Sequence, residues 1–107
     1  MLYIENFGSI GFMRYSQGSL LDKKFKAISD DTRLKIIVLL KDYPLNAGEI
    51  ADHFTFSFAS ISYHLHILEQ SGLITSRRLG QHKQYTLNKE ALQEIYLWLK
   101  KGVLAAE

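Results

Sequence analysis

Residues 46–72 read NAGEIADHFTFSFASISYHLHILEQSG, and this stretch decides the fold. Asn46 opens it with Glu49 three residues on, the pairing of a capping box with Asn in the Ser/Thr place. That predicts a short helix through Phe54, with Ile50, Ala51 and Phe54 turned inward. Thr55-Phe56-Ser57 reads as a three-residue turn, and Ser57 is placed to cap a second helix from Phe58 to Ser71. There Ile61, Leu65 and Leu68 fall at i, i+4 and i+7, one inward stripe. Gly72 is positioned to stop the helix in the left-handed conformation. A short helix, a tight turn and a second helix make a helix-turn-helix, whose second helix enters the major groove of DNA. A plain α+β domain with no DNA role shares this order, so the residues around it must discriminate.

Beyond Gly72 the apolar period changes to two. Ile74–Leu79 and His82–Leu87 read as strands joined at Gly80-Gln81, a turn with Gly first as a type II′ hairpin prefers. Tyr85 and Leu87 share one strand face. A hairpin directly after the second helix is a wing. Asn88 caps a last helix, Lys89 to about Lys101, whose Ala91, Leu92, Ile95, Tyr96, Trp98 and Leu99 cover more than one face. A protomer of this size covers one face only, so the surplus predicts a partner helix.

Upstream, Ser19–Ser29 reads as a helix with Leu21, Phe25 and Ile28 on one face. Ser29 or Asp30 caps the next helix, which runs to about Lys41 and is apolar nearly all round from Leu34 to Leu40. It is expected to be the central, most buried helix, ended by Pro44. The expected fold is therefore mainly α with a small β-hairpin: a winged helix-turn-helix of order α-α-α-α-β-β-α. Residues 1–18 form an extension of no clean period, 19–101 the domain, and 102–107 a tail.

Charge and composition narrow the function. The chain of 107 residues has a net charge of only +2. Between Thr55 and Asn88, however, Arg77, Arg78 and Lys83 face a single acid, Glu69, with three histidines alongside. A locally basic segment is what a phosphate-facing surface needs. There is no cysteine, which removes disulfides, thiolate metal sites and thiol nucleophiles. No apolar run is long enough to span a membrane, and Met1–Ile10 holds Glu5 and no basic residue, a poor secretory signal. Cytoplasmic location is expected. No Gly-rich phosphate loop, Ser-His-acid order or paired carboxylates beside a nucleophile suggests an enzyme.

The candidate site follows from helix geometry. With Ile61, Leu65 and Leu68 inward, Ala59, Ser62, Tyr63 and His66 face outward. Ser57 and Ser60 lie at the helix start, where hydroxyls and backbone N–H groups hold phosphate. Ser62, Tyr63 and His66 are placed to reach base edges. Arg77, Arg78, His82 and Lys83 flank the Gly80 turn, where basic residues suit the minor groove or its phosphates, although paired basics also guard a solvated strand edge. Phe58 is expected to pack inward with Phe54 and Phe56, with contact to a thymine methyl group as the alternative. His64 is expected at the edge of the core or on a phosphate. Glu49 and His53, four apart on the short helix, are the weak metal candidates; such a pair is ordinarily only a helix contact. No cofactor is expected.

Three segments together carry a resemblance to the ArsR/SmtB family of winged-helix repressors. They are Phe25 to Ile36 (FKAISDDTRLKI), Gly48-Glu49-Ile50-Ala51 followed by Ser60 to Ile74 (SISYHLHILEQSGLI), and the wing with Arg77-Arg78-Leu79-Gly80-Gln81 and Tyr85-Thr86-Leu87. The resemblance covers about residues 22–101. It implies a homodimer through the first and last helices that binds an imperfect palindrome in its own promoter and blocks transcription. The chain departs from the family at Asp31, where Pro is usual, and at Phe58, where a polar or basic residue is common. The third helix lacks the metal-sensing cysteines, and the last helix offers only Glu90 and Glu94 as acid ligands. This resembles the metal-free autorepressor subgroup, which implies a protein or membrane anti-repressor as partner. A zinc-type repressor with a non-cysteine site and a winged-helix protein-interaction module without DNA binding remain open at this level.

Overall fold

Four polar side chains start four helices, each by accepting a backbone N–H that the first turn leaves without a partner. Asp30 accepts from Arg33 N, Asn46 from Glu49 N, Ser57 from Ser60 N and Asn88 from Ala91 N. The computed structural model describes residues 20–105, so the 1–18 extension and the end of the tail lie outside it. The elements are α1 Leu20–Ala27, α2 Asp31–Leu39, β1 Leu45–Asn46, α3 Ala47–Ala51, α4 Phe58–Gln70, β2 Ile74–Leu79, β3 His82–Leu87 and α5 Lys89–Leu99. A π-helical turn, Lys100–Leu104, extends α5.

The capping box at Asn46 is complete: Glu49 N donates to Asn46 Oδ1 and Asn46 N to Glu49 Oε1, both at 2.8 Å. The β2–β3 hairpin has the predicted bounds, with Ser76 opposite Tyr85 and Arg78 opposite Lys83. Gly72 and Gly80 take φ of +83° and +63°, values that only glycine adopts without strain. Asn88 also fixes the wing's return: its Nδ2 donates to Gly72 O at 3.0 Å and its backbone N to Leu73 O at 2.9 Å. The core gathers around α4, whose Ile61, Leu65 and Leu68 are buried with Ile36, Leu40, Ile50, Leu73, Ile74 and Ile95.

Several expectations are corrected. The sheet has three strands, not two, because Leu45 and Asn46 pair antiparallel with Tyr85 and Gln84. α3 ends at Ala51, not Phe54, and the turn to α4 spans residues 52–57. α2 is not the most buried helix: it buries only Ile36, and Leu34 and Val38 are 45% and 62% exposed. An all-round apolar helix needs neighbours on every side, and within the protomer α2 packs mainly on α4. On α1 the buried positions are Lys24 and Ala27, with Leu21, Phe25 and Ile28 half-buried. Lys24 lays its apolar stem along the core and sets its ammonium 3.4 Å from Glu94 on α5. Phe58 does not pack inward: it is 57% exposed, while Phe54 and Phe56 stack on each other at 5.6 Å. The helix at the C-terminal end continues past Lys101 to Leu104.

Candidate nucleic-acid interface

α4 presents the expected outward face. Ala59, Ser62, Tyr63 and His66 are exposed opposite the buried Ile61–Leu65–Leu68 stripe. Tyr63 is braced edge-on against His64, ring centres 5.4 Å apart. Ser57 Oγ receives Ser60 N at 3.1 Å and donates to Ser60 Oγ at 3.2 Å. Both serines are therefore tied into the cap. That cap uses only the Ser60 amide, so the amides of Phe58 and Ala59 remain at the positive end of the helix dipole.

His64 takes the core-edge place of its two expected ones. Its Nδ1 lies 3.1 Å from Arg33 Nη1, and because guanidinium only donates, the ring nitrogen accepts. The same guanidinium donates to Ala27 O at 2.7 Å and Lys26 O at 3.2 Å. Asp30 Oδ2, 3.1 Å from Arg33 N, completes the cluster. The Asp30 carboxyl is held below its ordinary value first by that backbone hydrogen bond; burial opposes the shift, and the neighbouring His64 ring and Arg33 guanidinium reinforce it. The recognition helix is thus anchored to the junction of α1 and α2.

The wing splits its basic residues between two faces. Strand register places Arg78 and Lys83 on the inner face with Ser76 and Tyr85, and Arg77 on the outer face opposite Gln84. Among the described residues Arg77 and Arg78 have no ion-pair partner. Lys83 does: it lies 3.7 Å from Glu69 and 5.7 Å from the Tyr85 ring centre. Glu69, the one acid of the segment, is held further by Ser76 Oγ at 2.5 Å and so is turned away from the exposed face of α4.

Between the start of α4 and the wing lies an open groove of about 480 Å³, lined by Asn46, Phe58, Ser62, Arg78, His82 and Lys83 among others. It brings together Ser62 with three of the four basic wing residues. Tyr63 and Arg77 lie outside its lining. His66 lines a separate cleft with Lys23 and Lys26 of α1. The sequence reading missed Lys23, Lys26 and Asn46 as neighbours of the site, because only the tertiary fold brings α1 and β1 beside α4. Glu49 and His53 do not form a pair on one helix: α3 ends before His53, and the Glu49 carboxylate is engaged in the capping box. No group of three or more His, Asp or Glu able to hold a metal occurs among the described residues.

Comparison with known proteins agrees with the fold. Residues 30–76 match the model of "Bacterial regulatory protein, arsR family". The chain is 48% identical over 79 residues to the transcriptional repressor SdpR of Bacillus subtilis, covering 74% of this chain and 88% of that protein. It is 39% identical over 70 residues to the arsenical resistance operon repressor of Staphylococcus xylosus, covering 65% and 67%. An ArsR-like transcriptional regulator from Rhodococcus sp. RHA1 superposes with a TM-score of 0.70 at 28% identity, over 78% of each chain. Fold, recognition helix, wing and sequence thus converge, and the chain belongs to the arsR family of bacterial regulatory proteins.

Proposed function

We propose that this chain is a sequence-specific DNA-binding transcriptional repressor, acting as a homodimer on a two-fold operator in its own promoter. The observation that carries the reading is the pairing of an acid-free recognition face with a wing whose Arg77 and Arg78 are uncommitted. α4 enters one major groove per half-site, with Ser62, Tyr63 and His66 toward the bases and the Ser57–Ser60 turn toward a phosphate. Arg77, Arg78 and His82 hold the flanking backbone, and Lys83 contributes less because Glu69 already neutralises it. The word repressor leans on the two relatives above, both of which carry it in their names.

The dimer forms through α1 and α5. Phe25 packs edge-on against Trp98 at 5.6 Å, and Tyr96 and Leu99 of α5, with Val103 and Leu104 of the turn that extends it, are left exposed. A run of apolar side chains this large on a small protomer is the mark of an interface. The repressor is metal-free, since Glu49 is engaged as a cap and thiolates are absent. It works in the cytoplasm, and a protein or membrane-borne anti-repressor relieves it. No helix among the described residues is long and apolar enough to cross a membrane.

Protection of the chain's own promoter, measured across a salt series, tests the reading. Removing one cation from its phosphate lowers the salt slope by about 0.9, so Arg77→Ala with Arg78→Ala should flatten it by up to about 3.6 per dimer. A double variant with the parent's affinity and slope at physiological salt refutes the wing assignment. No protection by the parent on any promoter fragment leaves the protein-interaction alternative.

A further inference from the structure

Phe58 is the first residue of α4 and, against expectation, turns away from its aromatic neighbours into the groove beneath the wing. Phe54 and Phe56 stack on each other, with Phe56 itself exposed, and Phe58 joins neither ring. Ser62 lies one helical turn further along the same groove wall, and Arg78, His82 and Lys83 stand across from it. Among the described residues no carboxylate lines this groove. An exposed phenyl ring set among cations, at the end of a recognition helix that reaches base edges, fits a polyanion carrying an apolar feature. In the major groove the one apolar group that projects from a base is the thymine C5-methyl; cytosine has only a hydrogen at that position, and the other exposed groups are donors or acceptors that a phenyl ring cannot satisfy.

We propose that Phe58 is a specificity-determining residue that selects thymine by its methyl group at one position in each operator half-site. The inference rests on the DNA-binding reading above. Ser62, on the same wall, hydrogen-bonds the neighbouring base or its phosphate, and Arg78 holds the backbone that fixes the ring's depth. The helix start supplies rigidity: the Ser57 cap fixes the backbone on which Phe58 sits.

The test uses the full chain and an operator duplex selected from a random library. Each thymine of a half-site is replaced in turn by uracil, which removes only the methyl group. The parent should show one position where the loss weakens binding about fourfold per half-site, or about fifteenfold when both are changed. Phe58→Ala should bind thymine and uracil duplexes alike at that position while keeping the parent's salt slope. A parent indifferent to uracil at every position overturns the proposal without any variant, as does a Phe58→Ala protein that still discriminates. If no duplex is enriched at all, the DNA-binding reading itself fails, which is a distinct result.

Discussion

Replacing Arg33 should unfasten the recognition helix from the rest of the domain. The guanidinium sits at the meeting of three helices. It donates to Ala27 O and Lys26 O at the C-terminal end of α1 and to His64 Nδ1 on α4, at 2.7, 3.2 and 3.1 Å. The first satisfies a carbonyl that the end of α1 leaves without a helical partner, where a cation is also favoured by the dipole, whereas Lys26 O already accepts from Ser29 N and Ser29 Oγ. A hydrogen bond to a charged group contributes about 1.5–3 kcal/mol when buried. The Lys26 bond is exposed and contributes less, and the other two are only part-buried. Together they give about 2–4 kcal/mol for Arg33→Ala. Arg33→Lys keeps the charge but loses the planar fork, so it should cost about half as much. Urea unfolding at one fixed protein concentration measures both, since a dimer's stability depends on concentration. The midpoint should fall with the slope unchanged. A loss below about 0.5 kcal/mol for Arg33→Ala, or a Lys variant equal to the parent, refutes the anchoring role.

Two further outcomes follow from the same geometry. Asp30 has its carboxyl held below the ordinary value of 3.8 in the folded protein, so its contribution is present above that pH and is lost as pH falls through the lower folded value. Asp30→Asn can still cap α2, and its stability should fall less steeply on acidification below about pH 4; urea titrations from neutral to acid pH that coincide with the parent's would show that Asp30 adds nothing. Stripping metals with a chelator and then adding zinc should change operator affinity less than twofold; a tenfold change would restore Glu49 and His53 as candidate ligands.

What is legible in the sequence is local. The caps at Asp30, Asn46, Ser57 and Asn88 and the left-handed glycines are written within three or four residues of where they act. The hairpin alternates over six residues a strand, long enough to fix its bounds. β1 is not legible, because a two-residue strand has no period of its own and its pairing depends on Tyr85 and Gln84, far along the chain. The burial of α2 escapes the sequence because an all-round apolar helix carries no direction. The face of α1 escapes it because hydropathy turns every lysine outward, whereas Lys24 has a stem to bury and Glu94 to meet. Phe58 illustrates the same rule in reverse: hydropathy assigns an apolar side chain to the core, whereas in the fold only Phe54 of the three phenylalanines packs against it and Phe56 and Phe58 stay exposed.

The arrangement of the anchor bears on how a dimer would read DNA. Two recognition helices can match two half-sites only if the distance and angle between them are fixed. In a dimer through α1 and α5, that geometry is set by α1 and then transmitted to α4 within each protomer. Arg33 makes this link in one step, since one guanidinium holds the end of α1 and the middle of α4. Lys24 and Glu94 join α1 to α5 on the other side. Packing at the dimer face and placement of the reading residues are therefore coupled through side chains. A partner that alters the α1–α5 face would shift the half-site spacing without touching Ser62, Tyr63 or His66.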